Sequence, residues 1–374
     1  MPETRLRVAI VGCGDVAHRS YLPPLIELAD RAEVVGCCSS RMESAELAVA
    51  AVRNSSPGAT AFDRLDEMLT TARPDAVFNL TPAPVHGEIT SACLAAGAHV
   101  YSEKPLAASI EEADRLIAEA RAAGVLLLCA PASAATRQLK WLREIVDSGS
   151  LGRPTLATAM CAGMGPASWA EYTGDPTVFY GPGVGPLRDL GIYRLHEMTA
   201  LLGPVRRVSA VGKIAIPERT IVAGPRAGQT LTVTSPDHVL IDMEFAGGAL
   251  GQLLSSFAVP DIRAPRLEIH FTEGSISMTG DQFNEIPAAV FALSAGRSAA
   301  GRSLAQGRND GLLPPQPPDR FTTVSLGVEH FLACVAGAER PILTAEHARH
   351  TLEIVLAAYE SISDGRPRDL RTTF

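Results

Sequence analysis

No block of basic residues in this chain is long enough to track a phosphate backbone. Its 41 acidic side chains outnumber 33 basic ones for a net charge of -8, which argues against nucleic acid as a partner. No uninterrupted apolar run reaches membrane-spanning length, so no membrane association is expected. Met1-Pro2-Glu3-Thr4 leads almost directly into the first apolar run, and no secretory leader is expected. The seven cysteines are scattered, odd in number and free of C-x-x-C spacing, with Cys37 and Cys38 adjacent. That pattern predicts reduced thiols in a cytoplasmic protein and no thiolate metal site. His347 and His350 lie three apart, but without a third ligand at recognisable spacing a solvated helix face is expected there. No internal repeat is present.

A chain of 374 residues, 46% of them hydrophobic, is long for one core and predicts two domains. Residues 1–130 alternate short apolar runs with amphipathic segments, the pattern of a doubly wound parallel α/β sheet. Strands are predicted at 6–11, 33–38, 76–80, 99–102 and 125–129. Each is nearly continuous in apolar character, as strands buried on both faces are. Ser109 and Glu112 form a capping box for a helix reaching Ala122, which Gly124 closes. Residues 131–374 read as a second α/β domain on an open, mostly antiparallel sheet. It has a helix near 138–147, strands at 238–245, 249–257, 266–271 and 275–278, and a last helix near 345–362. The Ala/Gly/Ser/Arg stretches and Pro314-Pro315-Gln316-Pro317-Pro318 mark 281–320 as a long surface excursion.

Gly12-Cys13-Gly14-Asp15-Val16-Ala17 follows the first strand and opens a helix. Gly12 permits the tight turn, Gly14 lets the backbone approach a pyrophosphate, and Ala17 allows close helix packing. An NAD site usually places an acid at the end of the second strand. Here Cys38 is followed by Ser39-Ser40-Arg41, whose hydroxyls and guanidinium suit a 2'-phosphate. NADP(H) is therefore the expected cofactor and NAD(H) the other possibility; a plain solvated helix start is the alternative reading of Arg41. Thr81 and Pro82, in the loop after the strand at 76–80, are expected near the nicotinamide ribose. His86 is either a further cofactor contact or a capping and packing residue.

Ser102-Glu103-Lys104-Pro105 ends the strand at 99–102 and puts a cation where a bound nicotinamide belongs, with Glu103 beside it. Further on, a glycine-rich stretch, Gly181 to Gly185, opens a helix carrying Asp189, Tyr193 and His196. At helical spacing the three share one face, either as a catalytic stripe or as satisfied core residues. A lysine roughly 4 Å from a tyrosine would favour its phenolate by about 4 kcal/mol at an effective dielectric near 20. That is about three pK units before burial opposes it. Trp169 and Tyr172 either line a sugar site or anchor their loop. Arg188 and Arg194 are candidates for holding an anionic substrate group, against simple exposure.

Taken together, the glycine turn, Glu103-Lys104-Pro105 and Asp189-x-Gly191-x-Tyr193 resemble the glucose-fructose oxidoreductase, inositol dehydrogenase and MocA (Gfo/Idh/MocA) family, in its D-x-G-x-Y branch. The resemblance covers nearly the whole chain. It implies NAD(P)-dependent oxidation or reduction of a carbohydrate-like small molecule, with Lys104 and Asp189 at the family's motif positions. Tyr193 stands where many members carry histidine, and His196 where an aspartate is common, so the proton donor is open between them. A homodimer or homotetramer through the open sheet is also implied. The main expectation is an NADPH-dependent ketone reductase or the reverse alcohol dehydrogenase acting on a sugar, amino sugar, cyclitol or nucleotide-linked sugar. The alternatives are an NAD-recycling glycosidase acting by transient oxidation and a non-catalytic dinucleotide sensor.

Overall fold

The structure is a computed structural model that describes residues 5–172, 174–279, 288–292 and 319–374. It divides into two compact units, one running up to Ala135 with Arg320–Glu353 and Phe374, the other holding Thr136–Asp319 and Ile354–Thr373.

In the first unit, strands β1 (Leu6–Val11), β2 (Ala32–Cys38), β3 (Thr60–Phe62), β4 (Ala76–Asn79), β5 (His99–Ser102) and β6 (Leu127–Cys129) form a sheet in the order β3-β2-β1-β4-β5-β6. All its pairings are parallel, and the order reverses between β1 and β4, where such sheets open a crevice at their carboxyl edge. The doubly wound sheet expected from the sequence is present, with β3 added. Only Phe62 of that three-residue strand is buried, too little apolar signal to stand out. The helix Ile110–Ala123 has Ser109 accepting from the Glu112 amide, and Gly124 is left-handed at its end. The Glu112 carboxylate accepts from the Ala108 amide at 2.8 Å, so the return arm of the cap reaches one residue further back than a capping box does.

Sequence reading assigned everything beyond residue 130 to the second domain, whereas Arg320–Glu353 group with the first unit. Phe331, in the helix Leu326–Val335, packs edge-on to Phe78 and tilted to Tyr101, completing an aromatic cluster with Tyr21. His347 and His350 are buried rather than solvated: the Phe374 ring stacks on His347 at 4.1 Å. Burial, with His350 adding to it, pushes the His347 pKa down to about 3. No cluster of three or more metal-ligating side chains occurs among the described residues.

The second unit is built on an eight-stranded sheet. Its members are β7 (Pro154–Ala162), β8 (Val205–Lys213), β11 (His238–Phe245), β12 (Leu250–Ser256), β13 (Leu267–Phe271), β14 (Gly274–Met278), β15 (Ala288–Ala292) and β16 (Arg368–Asp369). They lie in the order β15-β14-β13-β7-β12-β11-β8-β16, and a small ribbon, β9 (Glu218–Thr220) with β10 (Thr230–Thr232), stands apart. All pairings in the large sheet are antiparallel except that of β7 with β12. One face is covered by the helices Arg137–Asp147 and Ile192–Leu202, with Leu139, Leu142, Leu195 and Met198 packed on Ala157, Ala159, Ile241 and Leu253. Of the expected excursion at 281–320, residues 288–292 instead pair with β14 as an edge strand. Asp319 accepts from the Arg137 amide and Arg320 pairs with Glu27 at 3.0 Å, and the rest lies outside the described residues. No helix among the described residues is long and apolar enough to cross a membrane.

Candidate active site

The glycine turn and the loops after β2, β4 and β5 lie at the carboxyl edge of the parallel sheet. Gly12 adopts a φ of 94°, and a Cβ there would lie 2.6 Å from the Leu80 carbonyl carbon and 2.7 Å from the Thr81 nitrogen. Glycine is therefore required both by the turn and by the chain leaving β4. At Gly14 a Cβ would meet nothing within 4 Å, so the backbone is open to an approaching group, which fits a pyrophosphate. Asp15 pairs with Arg19 at 3.0 Å, Val16 is half-buried and Ala17 is buried. Ala17–Tyr21 forms a π-helical turn, a local widening frequent at functional sites.

At the end of β2, Ser39 is half-buried and Ser40 and Arg41 are exposed. Arg41 caps the next helix through its backbone only. Sequence reasoning passed over Asp63, which follows β3 and sits close enough, with burial, Cys13 and Asp66, to raise the Cys38 pKa to about 11. Asp66 is taken by Arg64 at 2.6 Å.

After β4, Thr81 donates to the Asn79 side-chain oxygen at 2.6 Å, and the Asn79 amide nitrogen donates to the His86 carbonyl and the Thr90 hydroxyl, each at 3.0 Å. Pro82 is exposed at the loop's tip. His86 is 1% exposed, with its ring nitrogens 2.7 Å from the Pro105 carbonyl and 2.6 Å from the Thr81 carbonyl. The His86 ring ties the loop after β4 to the loop after β5. Buried Asn79, fully enclosed, was missed because a lone Asn at a strand end reads as an ordinary turn residue.

Lys104 is half-buried. Its backbone nitrogen donates to one oxygen of the Glu103 carboxylate at 3.0 Å, the Tyr21 hydroxyl donates to the other at 2.6 Å, and the Glu103 amide donates to Asn79. The Glu103 carboxylate is thus engaged within the first unit. Only three of the 33 basic residues are lysines, Lys104, Lys140 and Lys213. In a chain that otherwise chooses arginine, a lysine held at this edge supplies a compact point charge rather than a fork.

The residues of the second glycine-rich segment lie in the second unit. Leu187–Gly191 is a π-helical turn that continues into the helix Ile192–Leu202. Asp189 therefore belongs to the π turn and is half-buried, whereas Tyr193 and His196 belong to the α-helix and are 8% and 2% exposed. Gly191 is small because a Cβ would meet the Leu187 side chain at 2.8 Å and the Ser255 hydroxyl at 3.0 Å, pressing this segment against β12. Tyr193 is counted in the core that the helices make with the sheet. Trp169, 42% exposed, stacks on Tyr172 at 5.8 Å, and Tyr172 meets Phe179 edge-on.

The two arginines separate. Arg194 is fully buried and ion-paired with Glu197, on which Arg266 also converges at 3.9 Å. Arg188 is half-buried, and no ion pair joins it to a carboxylate among the described residues.

A glycine turn at the switch point of a doubly wound sheet, with a lysine at the end of a nearby strand, is the frame of a dinucleotide-dependent oxidoreductase. The chain belongs to the Gfo/Idh/MocA family. Residues 6–130 match its oxidoreductase, NAD-binding Rossmann model and residues 139–277 its GFO/IDH/MocA C-terminal domain. It is 31% identical to D-glucoside 3-dehydrogenase of Escherichia coli K12, over 69% of this chain and 72% of that protein. It is 29% identical to dTDP-3,4-didehydro-2,6-dideoxy-alpha-D-glucose 3-reductase of Streptomyces antibioticus, over 72% and 82%. In fold it is similar to an NAD binding oxidoreductase from Klebsiella pneumoniae, at a TM-score of 0.78 and 22% identity, over 98% and 99% of the two chains.

Proposed function

We propose that this oxidoreductase reduces a ketone of a sugar, amino sugar, cyclitol or nucleotide-linked sugar with NADPH, or oxidises the corresponding alcohol. The observation that carries this reading is Lys104 at the carboxyl end of β5, fixed through Glu103 and Tyr21. When bound, the nicotinamide supplies or accepts the hydride. Gly12, Gly14, Asp15, Val16 and Ala17 hold the pyrophosphate, Thr81 and Pro82 border the nicotinamide ribose, and His86, Glu103 and Lys104 are further cofactor contacts. As the carbonyl carbon takes the hydride, its π pair moves to oxygen; Lys104 stabilises that charge and Tyr193 delivers the proton. Asp189 and His196 orient substrate hydroxyls. The two named curated relatives act on sugar rings, which supports the substrate class.

The NADPH preference rests on Ser39, Ser40 and Arg41 standing where an acid would repel a 2'-phosphate. Titration of cofactor-stripped protein, followed by nicotinamide fluorescence, is expected to show tighter binding of NADPH than of NADH. Ser40→Asp with Arg41→Ile is expected to reverse the order; an unchanged ratio sinks the assignment. The seven free, buried cysteines support a cytoplasmic location.

Self-association through the open sheet face belongs to the same proposal. On that face Val211, Leu240, Leu254 and Met160 stand in register across β8, β11, β12 and β7, beside the pair Leu250 and Leu156. Leu250 and Val211 are 56% and 65% exposed in the single chain, and an apolar row of this kind is suited to burial. Light scattering of wild type is expected to give a dimer or tetramer mass, and Leu240→Arg with Leu250→Arg a monomer. A double variant that keeps its oligomeric mass removes this interface.

A further inference from the structure

We infer that Arg188 recognises an anionic substituent, a carboxylate or a phosphate, on the substrate. The inference rests on the carbohydrate oxidoreductase reading and deepens it. The buried arginines of the second unit are matched by acids: Arg194 and Arg266 by Glu197, and Arg219 by Asp237 at 2.7 Å. Arg188 has no such match among the described residues. Its Nε is buried without a hydrogen-bond partner, which separates it from an arginine merely lying in water. The Tyr359 phenol lies close enough to favour its charged form, but burial pushes that phenol's own pKa up to about 12. Partial desolvation lowers the guanidinium's own pKa, yet an arginine keeps its charge. Holding a cation partly out of water without a counter-charge is costly, and the cost is recovered when an anion docks.

The setting fits a ligand. Arg188 lies in the π turn beside Asp189 and directly after the glycine-rich loop. That loop is fixed at one side, where the Tyr359 hydroxyl donates to the Val184 carbonyl and a Cβ on Gly185 would lie 2.7 Å from the Pro236 carbonyl oxygen. At Gly181 and Gly183 a Cβ would meet nothing within 4 Å, so the other side is open. A planar guanidinium at the edge of such an opening accepts a carboxylate or phosphate through two parallel hydrogen bonds.

The test is calorimetric binding of D-glucose, D-glucuronate and D-glucose 6-phosphate to the NADP-loaded protein, at one ionic strength set with sodium chloride. At least one anionic sugar is expected to bind about ten- to a hundredfold more tightly than D-glucose. Arg188→Met should abolish that advantage and Arg188→Lys should keep part of it. Which anionic sugar gains distinguishes carboxylate from phosphate. Equal affinities in wild type, or an advantage that survives Arg188→Met, overturn the inference. Thermal unfolding verifies that the methionine variant is folded; should it not be, Arg188→Gln takes its place. Cofactor reduction is recorded alongside. Hydride transfer from D-glucose with no anionic preference would keep the redox reading and remove the anion site. An anionic preference with no hydride transfer from any sugar would do the reverse.

Discussion

Replacing Lys104 by methionine is expected to lower turnover about a hundred- to a thousandfold, the range found when one group stabilising a developing oxyanion is removed. Methionine keeps most of the stem's volume and removes the charge, so the loss reports electrostatics rather than packing. Cofactor binding should change little, because the turn at Gly12 to Ala17 and the loop at Thr81 do not depend on the ammonium. Glu103 still holds the backbone of residue 104 in the variant, since that contact runs through the main-chain nitrogen. Steady-state rates with a reducible sugar ketone, beside a fluorescence titration of NADPH, check both halves. Near-normal turnover would take Lys104 out of the mechanism. A comparable loss of cofactor affinity would make it a binding residue instead.

The second large effect is on stability. Glu197→Ala should destabilise the second unit by about 3 to 5 kcal/mol, because it leaves two buried guanidinium groups without their shared carboxylate. Arg194, Glu197 and Arg266 are 0%, 1% and 6% exposed. Even in the native protein the Arg194 Nε and Nη2 and all three Arg266 nitrogens have no hydrogen-bond partner among the described residues. For a unit of this size such a loss lowers Tm by roughly 10 °C. Thermal denaturation should show the drop in Glu197→Ala. Much of it should be recovered in Arg194→Met with Glu197→Met and Arg266→Met, which removes the buried charges together and fills the space. A single variant within about 1 kcal/mol of wild type would mean that water reaches these groups.

The Rossmann half was legible because its signals are local. Strands buried on both faces are short apolar runs, and β1 and β5 are found at the bounds expected from the sequence. The glycine turn and Glu103-Lys104 are defined by neighbours along the chain. The strand β7 was missed for the opposite reason: Pro154-Thr155-Leu156-Ala157-Thr158-Ala159-Met160-Cys161-Ala162 is half alanine and threonine and begins with proline. It is a strand because β12 and β13 flank it on either side, and β propensity depends strongly on such partners.

By itself, the sequence determined the doubly wound sheet, the cofactor turn, the lysine at the end of β5 and the helix carrying Tyr193 and His196. Each depends on spacing that a reader of the chain can count. Tertiary structure alone decided that His86 clamps two loops, that Arg320–Glu353 group with the first unit, and that Asp189 stands in a π turn. It also parted Arg188 from Arg194, six residues away on one continuous segment and alike as letters. Burial and counter-charge come from residues distant in sequence: Glu197 and Arg266 enclose Arg194, while Tyr359 brings Arg188 no charge to match.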